Sequence, residues 1–157
     1  MANLPGPRGR SVAEQAFVLR GAFPAAKVSL RHGRLTWVGD LQPTALGRWY
    51  TVRIEYQNGQ FPTVRVISPV LQDRDGEPPP HRYSDGALCL HKRGEWNSGL
   101  RLVDTTVPWT LEWLAHYEVW LATGDWHGGG TWPPVPELVP DDPQSRSERR
   151  RARASSQ

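Results

Sequence analysis

Sulfur is the scarcest element of this chain: its 157 residues include one cysteine, Cys89, and one methionine. A single cysteine excludes an internal disulfide. It also excludes zinc or iron–sulfur sites built from several thiolates of one chain. No metal and no cofactor are expected, and the usage fits a reducing, cytoplasmic compartment. No stretch approaches the ~20 apolar residues that cross a bilayer, and the opening MANLPGPRGR has no apolar run. Neither a membrane anchor nor a signal peptide is expected. An excess of positive charge is also missing from the body of the chain. The formal net charge is +3, but residues 146–157 alone carry +4, which leaves −1 on the 145 residues before them. The basic character belongs to a tail, so no specific nucleic-acid surface is expected on the folded part.

What is present suggests one domain, of a size that buries roughly 70% of its unfolded surface. Residues 1–10 are rich in Pro and Gly and read as a flexible N-terminus. Ser11-Val12-Ala13-Glu14 has capping-box spacing. It predicts a helix over 11–20, with Val12, Ala13, Ala16, Phe17 and Leu19 on the apolar face and Gly21 as its stop. Lys27 to Val38 is strand-like, with a turn or bulge at His32-Gly33. Tyr50, Val52, Ile54 and Tyr56 alternate with polar residues in a second strand. Asn58-Gly59 is a strong hairpin signal, and a third strand follows at about 62–68. Strands in series with short links predict an antiparallel meander with one buried face. Asp73–Pro80 (DRDGEPPP) cannot be regular, because three prolines remove donors.

Thr105 or Thr106 is placed to cap a long helix to about 122, with Pro108 in its first turn. Leu111, Leu114, Glu118 and Leu121 form one stripe, with Trp109, Trp113, Tyr117 and Trp120 beside it, so this helix packs deeply. Gly124 ends it. The fold class is therefore α+β: an N-terminal helix, an antiparallel meander and a Trp-rich helix on one face. The domain spans 11–135, and 136–157 reads as a disordered basic tail.

Five of the eight tryptophans fall between Pro80 and Gly130, with Cys89 in the same stretch. Two readings of Cys89 stay open. Flanked by Ala87, Leu88 and Leu90, it could be a small buried hydrophobe. Polar turns on both sides, Asp85-Gly86 before and Lys92-Arg93-Gly94 after, suggest instead a sheet edge. Cations and imidazoles nearby favour the nucleophilic thiolate. His81 and His91 are candidate bases; His91, two residues on, shares a strand face with the sulfur. Stacking of nucleic-acid bases on the tryptophans is disfavoured by their helical spacing and by Glu112, Glu118 and Asp125 among them.

The order of elements resembles a ubiquitin-conjugating enzyme. A His-bearing proline turn precedes Gly86, then Cys89-Leu90 and Trp96, as in that family. The closer resemblance is to the conjugating-enzyme-like (E2-like) proteins of bacterial anti-phage operons of the cyclic-oligonucleotide-based signalling system (CBASS), in the short type II form without a separate activating enzyme. It rests on Pro80-His81, Tyr83, Asp85-Gly86, Leu88-Cys89-Leu90, Pro108 to Leu114, Tyr117-Glu118 and Thr123 to Gly130, and covers about 11–130.

The resemblance implies a transferase in which Cys89 takes up, as a thioester, the C-terminal tail of a cGAS/DncV-like nucleotide cyclase. The tail then passes to an unidentified amine, which primes the cyclase. Nothing in the chain resembles an adenylation domain, so the acyl group comes from elsewhere or from direct action on the tail. The asparagine that steadies the oxyanion in ubiquitin enzymes is missing: His81-Arg82-Tyr83 stands there, two residues nearer the cysteine. Tyr83 O–H or a backbone N–H could serve instead. His81 fixes the turn or acts as base, and His91 orients the tail or helps deprotonate the thiol. Asp125 stands where the ubiquitin enzymes place an acid near the acceptor lysine, or is a solvated helix-end charge. The alternatives are a non-catalytic adaptor of the same fold that binds the cyclase and a hydrolase that removes such conjugates.

Overall fold

The computed structural model describes residues 8–128. The expectations for residues 1–7, for 129–135 and for the tail at 136–157 lie outside the described residues. The order is α1 (Val12–Ala22), β1 (Lys27–Arg31), β2 (Arg34–Leu41), β3 (Tyr50–Gln57), β4 (Thr63–Ser68) and α2 (Thr106–Thr123). The class is α+β, as the pattern implied. Among the described residues no helix is long and apolar enough to cross a membrane.

The capping box at the start of α1 forms: Ser11 Oγ accepts from Glu14 N–H at 3.1 Å, and the Glu14 carboxylate accepts from Ser11 N–H at 2.7 Å. Gly21 does not stop the helix. It continues to Ala22 and is capped by Phe23, whose N–H donates to the Leu19 carbonyl. The reason is tertiary, because the Phe23 ring packs edge-on against Trp37 at 5.4 Å and fixes where the chain leaves. Phe17, expected on the apolar face, is 78% exposed, and Gln15 is buried in its stead. Gln15 Nε2 donates to the Leu100 carbonyl at 2.8 Å, and its Oε1 accepts from Leu102 N–H at 2.9 Å. Gln15→Ala strands that buried N–H, so we expect a loss of about 2–3 kcal/mol in urea unfolding.

The stretch read as one strand, 27–38, is two. His32 and Gly33 both take positive φ, 50° and 73°, the requirement of a two-residue type I′ hairpin. The sheet thus has four antiparallel strands in the order β1-β2-β3-β4. Alternation puts Leu35, Trp37, Leu41, Tyr50, Val52, Ile54, Tyr56 and Val64 on the inner face, all buried. Gly39 shares that face because the Trp37 ring lies over it; a Cβ there would collide with the ring.

Helix α1 supplies Ala16 and Leu19 to this core, and α2 supplies Leu114 and Tyr117. Thr105 occupies the α2 N-cap position without capping it: its hydroxyl donates backwards to the Arg101 carbonyl at 2.8 Å. Gly124, left-handed at φ 86°, ends the helix. Glu118 belongs to no apolar stripe. Its Oε1 accepts from Arg48 N–H at 2.8 Å and from Tyr50 O–H at 2.9 Å, tying the β2–β3 loop to α2. Burial, then that carboxylate, pushes the Tyr50 hydroxyl well above its ordinary value.

Candidate functional site

Between β4 and α2 the chain is irregular, and its cysteine segment hangs on the edge of β4 through Leu88 N–H to the Val64 carbonyl, 2.8 Å. Arg82 and Leu88 form a bridge. Inside it, Tyr83 N–H donates to Ala87 O at 2.8 Å and Gly86 N–H to Tyr83 O at 2.9 Å. Closing so tight a loop needs Gly86 at φ 88°, a region that side chains rarely adopt. Asp85 Oδ1 accepts from Ala87 N–H at 3.0 Å, and its Oδ2 accepts from Arg65 at 2.8 Å. The Ala87 N–H, then the Arg65 guanidinium, holds the Asp85 carboxyl below the usual range.

A lowered carboxylate value adds stability above the unfolded value, about 3.9, and loses it as pH falls through the folded one. Asp85→Ala should therefore lower the melting temperature at neutral pH. The gap to the parent protein should close below about pH 4. The effect is small, because the side chain is 59% exposed and screened.

The chain leaves the core at Cys89: Ala87 and Leu88 are buried at 5% and 4% exposure, whereas Cys89 is only half-buried. Its N–H donates to the His81 carbonyl at 2.8 Å, and the same oxygen accepts from Trp113 Nε1 at 3.1 Å. These two donors hold His81 in a positive φ of 54°, which costs of order 1–3 kcal/mol for a non-glycine residue. The His81 ring is buried and packs against Trp126 at 5.3 Å.

Cys89 opens onto a groove of about 310 Å³ that His81, His91, Trp109, Glu112, His116 and Trp126 help to line. The reading of Cys89 as a sealed core residue does not hold. His91 lies between Phe61 and Trp109, with ring centroids at 5.5 and 5.7 Å, and its Nδ1 is 3.1 Å from the Lys92 carbonyl. Tyr83 stands on the other side of the cysteine loop, half exposed. A hydrogen bond to the Cys89 side chain, then burial, pushes its hydroxyl up to about 12. Tyr83 is therefore a protonated O–H at neutral pH, able to donate. Asp125 is exposed and lies outside this lining; its N–H donates to Thr123 Oγ1 at 3.1 Å.

The structure thus brings His81, His91 and Tyr83 together around Cys89. It adds Trp109 and Trp113, expected to pack in the core, and Glu112 and His116, to which the sequence assigned no site role. Trp109, Glu112, Trp113 and His116 all line the groove, at i, i+3, i+4 and i+7 on one face of α2. That spacing was legible, but not that the face meets the cysteine. The segment after α2 turns back over this face: Trp126 packs on Trp113 at 5.6 Å and on His116 at 5.8 Å. Gly128 comes so close that a Cβ would stand 2.5 Å from Trp126 Nε1 and 2.9 Å from His116. The result is an aromatic slot holding a thiol, three imidazoles and, in Glu95 and Glu112, two carboxylates. Such a set can attack a carbonyl and move protons beside it.

A comparison with curated proteins finds no match. A family model described as "Type II CBASS E2 protein" matches residues 15–133, which takes in both helices' core residues, all four strands and the whole groove. The chain belongs to the type II CBASS E2 protein family, which associates it with the CBASS cyclase system.

Proposed function

We propose that the protein is a cysteine-dependent acyl transferase: Cys89 takes up the C-terminal acyl group of the partner nucleotide cyclase as a thioester and passes it to an amine. The observation that carries this reading is the half-buried Cys89 in the wall of an aromatic slot lined by imidazoles, with Tyr83 on the other side of its loop. The carbonyl carbon bonds to Sγ while the activating group leaves with the electron pair. The acyl group must therefore arrive activated, as an adenylate or a carrier thioester, because a free carboxylate expels no leaving group. An extended tail suits the slot between Trp109 and Trp126. Tyr83 O–H, protonated at neutral pH, would donate to the developing oxyanion in place of the missing asparagine, a contribution of roughly 10²-fold or more for a pre-aimed donor. His91 would orient the tail, and His81 would hold the turn.

The test is intact mass of the protein co-expressed with the cyclase of its own operon. We expect a mass increment equal to the cyclase or its tail, released by hydroxylamine and by excess thiol. An increment that resists both, or none at all, overturns the reading.

A further inference from the structure

Glu112 and His116 have no part in the scheme above, yet both line the groove with Cys89. They lie one turn apart on α2, with Glu112 Oε1 3.7 Å from His116 Nε2. We infer that this pair is the seat of the incoming amine: the carboxylate draws in the ammonium, and the imidazole takes its proton. The inference deepens the transferase reading and rests on it.

The His116 ring is held in place. Trp126 packs on it at 5.8 Å, Gly128 lies against its edge, and 27% of the side chain remains open. The other charged groups facing it are engaged or of the wrong sign. Glu95 accepts from Lys92 N–H at 2.7 Å. His91 Nδ1 is turned to the Lys92 carbonyl, and the His81 ring is buried. Lys92 is itself a cation and would repel an ammonium. His127, on the returning segment, is exposed and outside the lining. Among the described residues the Glu112 carboxylate is 68% exposed and has His116 beside it.

The chemistry needs such a pair. A lysine amine, with an ordinary value of about 10.4, is almost wholly protonated at neutral pH, and its lone pair is blocked until a base removes one proton. A carboxylate beside Nε2 favours the tautomer with the proton there, which leaves Nδ1 as acceptor. The ammonium gives one proton to Nδ1. The nitrogen lone pair then forms the C–N bond as the C–S bond breaks, and the second nitrogen proton passes to the departing Cys89 sulfur. An imidazolium, a thiol and an amide remain, with charge conserved.

The experiment separates loading from discharge. The parent protein, Glu112→Gln and His116→Gln are loaded with the N-acetylglycine thioester of mercaptoethanesulfonate. They are then discharged in single turnover by lysine or by hydroxylamine from pH 6 to 9. Hydroxylamine is already unprotonated at neutral pH and needs no base. We expect all three proteins to load alike, which also reports an intact fold. Discharge to lysine should fall roughly 10²-fold in both variants across that range, whereas discharge to hydroxylamine should change by less than about threefold. Glu112→Asp should restore part of the lysine rate. Variants that discharge to lysine like the parent, or that slow equally with both amines, overturn the inference and leave the transferase reading standing. A parent protein that never loads overturns both.

Discussion

Cys89→Ala is expected to remove the covalent adduct with the cyclase completely and to leave the protein folded. The sulfur is the one thiol of the chain, so no neighbouring cysteine can substitute for it. Its side chain contributes little to the core. It is half-buried, and its backbone N–H bond to the His81 carbonyl survives the change. Deleting one partly buried atom costs about 1 kcal/mol or less, so the melting temperature should barely move. Adduct formation should fall below detection on a non-reducing gel, and defence against phage should be lost with it. Cys89→Ser is the more informative partner. A serine hydroxyl is a weak nucleophile without an activating base, so a small yield of thiol-resistant ester is expected. An Ala variant that still forms the full set of adducts would end the transferase reading. An Ala variant that keeps phage defence without adducts would favour the adaptor.

The second large effect is structural. Trp113→Ala should cost about 3–5 kcal/mol, the range for removing a large buried aromatic. The ring is 4% exposed, stacked on Tyr117 at 5.6 Å and 9°, and in contact with Trp126. At about 2–4 °C per kcal/mol for a chain of this size, the melting temperature should drop by roughly 10 °C.

Trp113→Phe isolates the other role. It keeps most of the packing but removes the N–H that donates to the His81 carbonyl, the oxygen that also receives Cys89 N–H. We expect about 1–3 kcal/mol of destabilisation and, at temperatures where the variant is fully folded, at least a roughly tenfold slower adduct formation, because small displacements of a nucleophile are costly. Thermal unfolding and adduct kinetics on the same samples check both. A Phe variant with unchanged kinetics would show that this bond does not position the cysteine.

How much of this was legible beforehand depended on the distance over which each feature is decided. The Ser11–Glu14 box is a contact across three residues, and it formed as its spacing demands. Tyr50 to Tyr56 alternated as written. By contrast, Gly21 failed as a helix stop because Phe23 found Trp37, a residue in another element. Phe17 was placed inside on periodicity alone, yet the inner position went to Gln15, whose amide meets the orphan backbone groups of Leu100 and Leu102. Residues 85 positions away cannot be read from a helical wheel.

The same division runs through the site. Composition, alternation, turn chemistry and the motif around Cys89 determined the class of fold, the candidate nucleophile and the family resemblance, because each is written in contiguous residues. The turn that holds His81, the slot walled by Trp109 and Trp126, and the nearness of Glu112 and His116 to the thiol were decided only when three separated segments packed onto one another. No local periodicity encodes which face of α2 the cysteine loop will meet. That choice belongs to the close packing of the core, where Leu114 and Tyr117 fill the sheet side and leave the Trp109–His116 face for the groove.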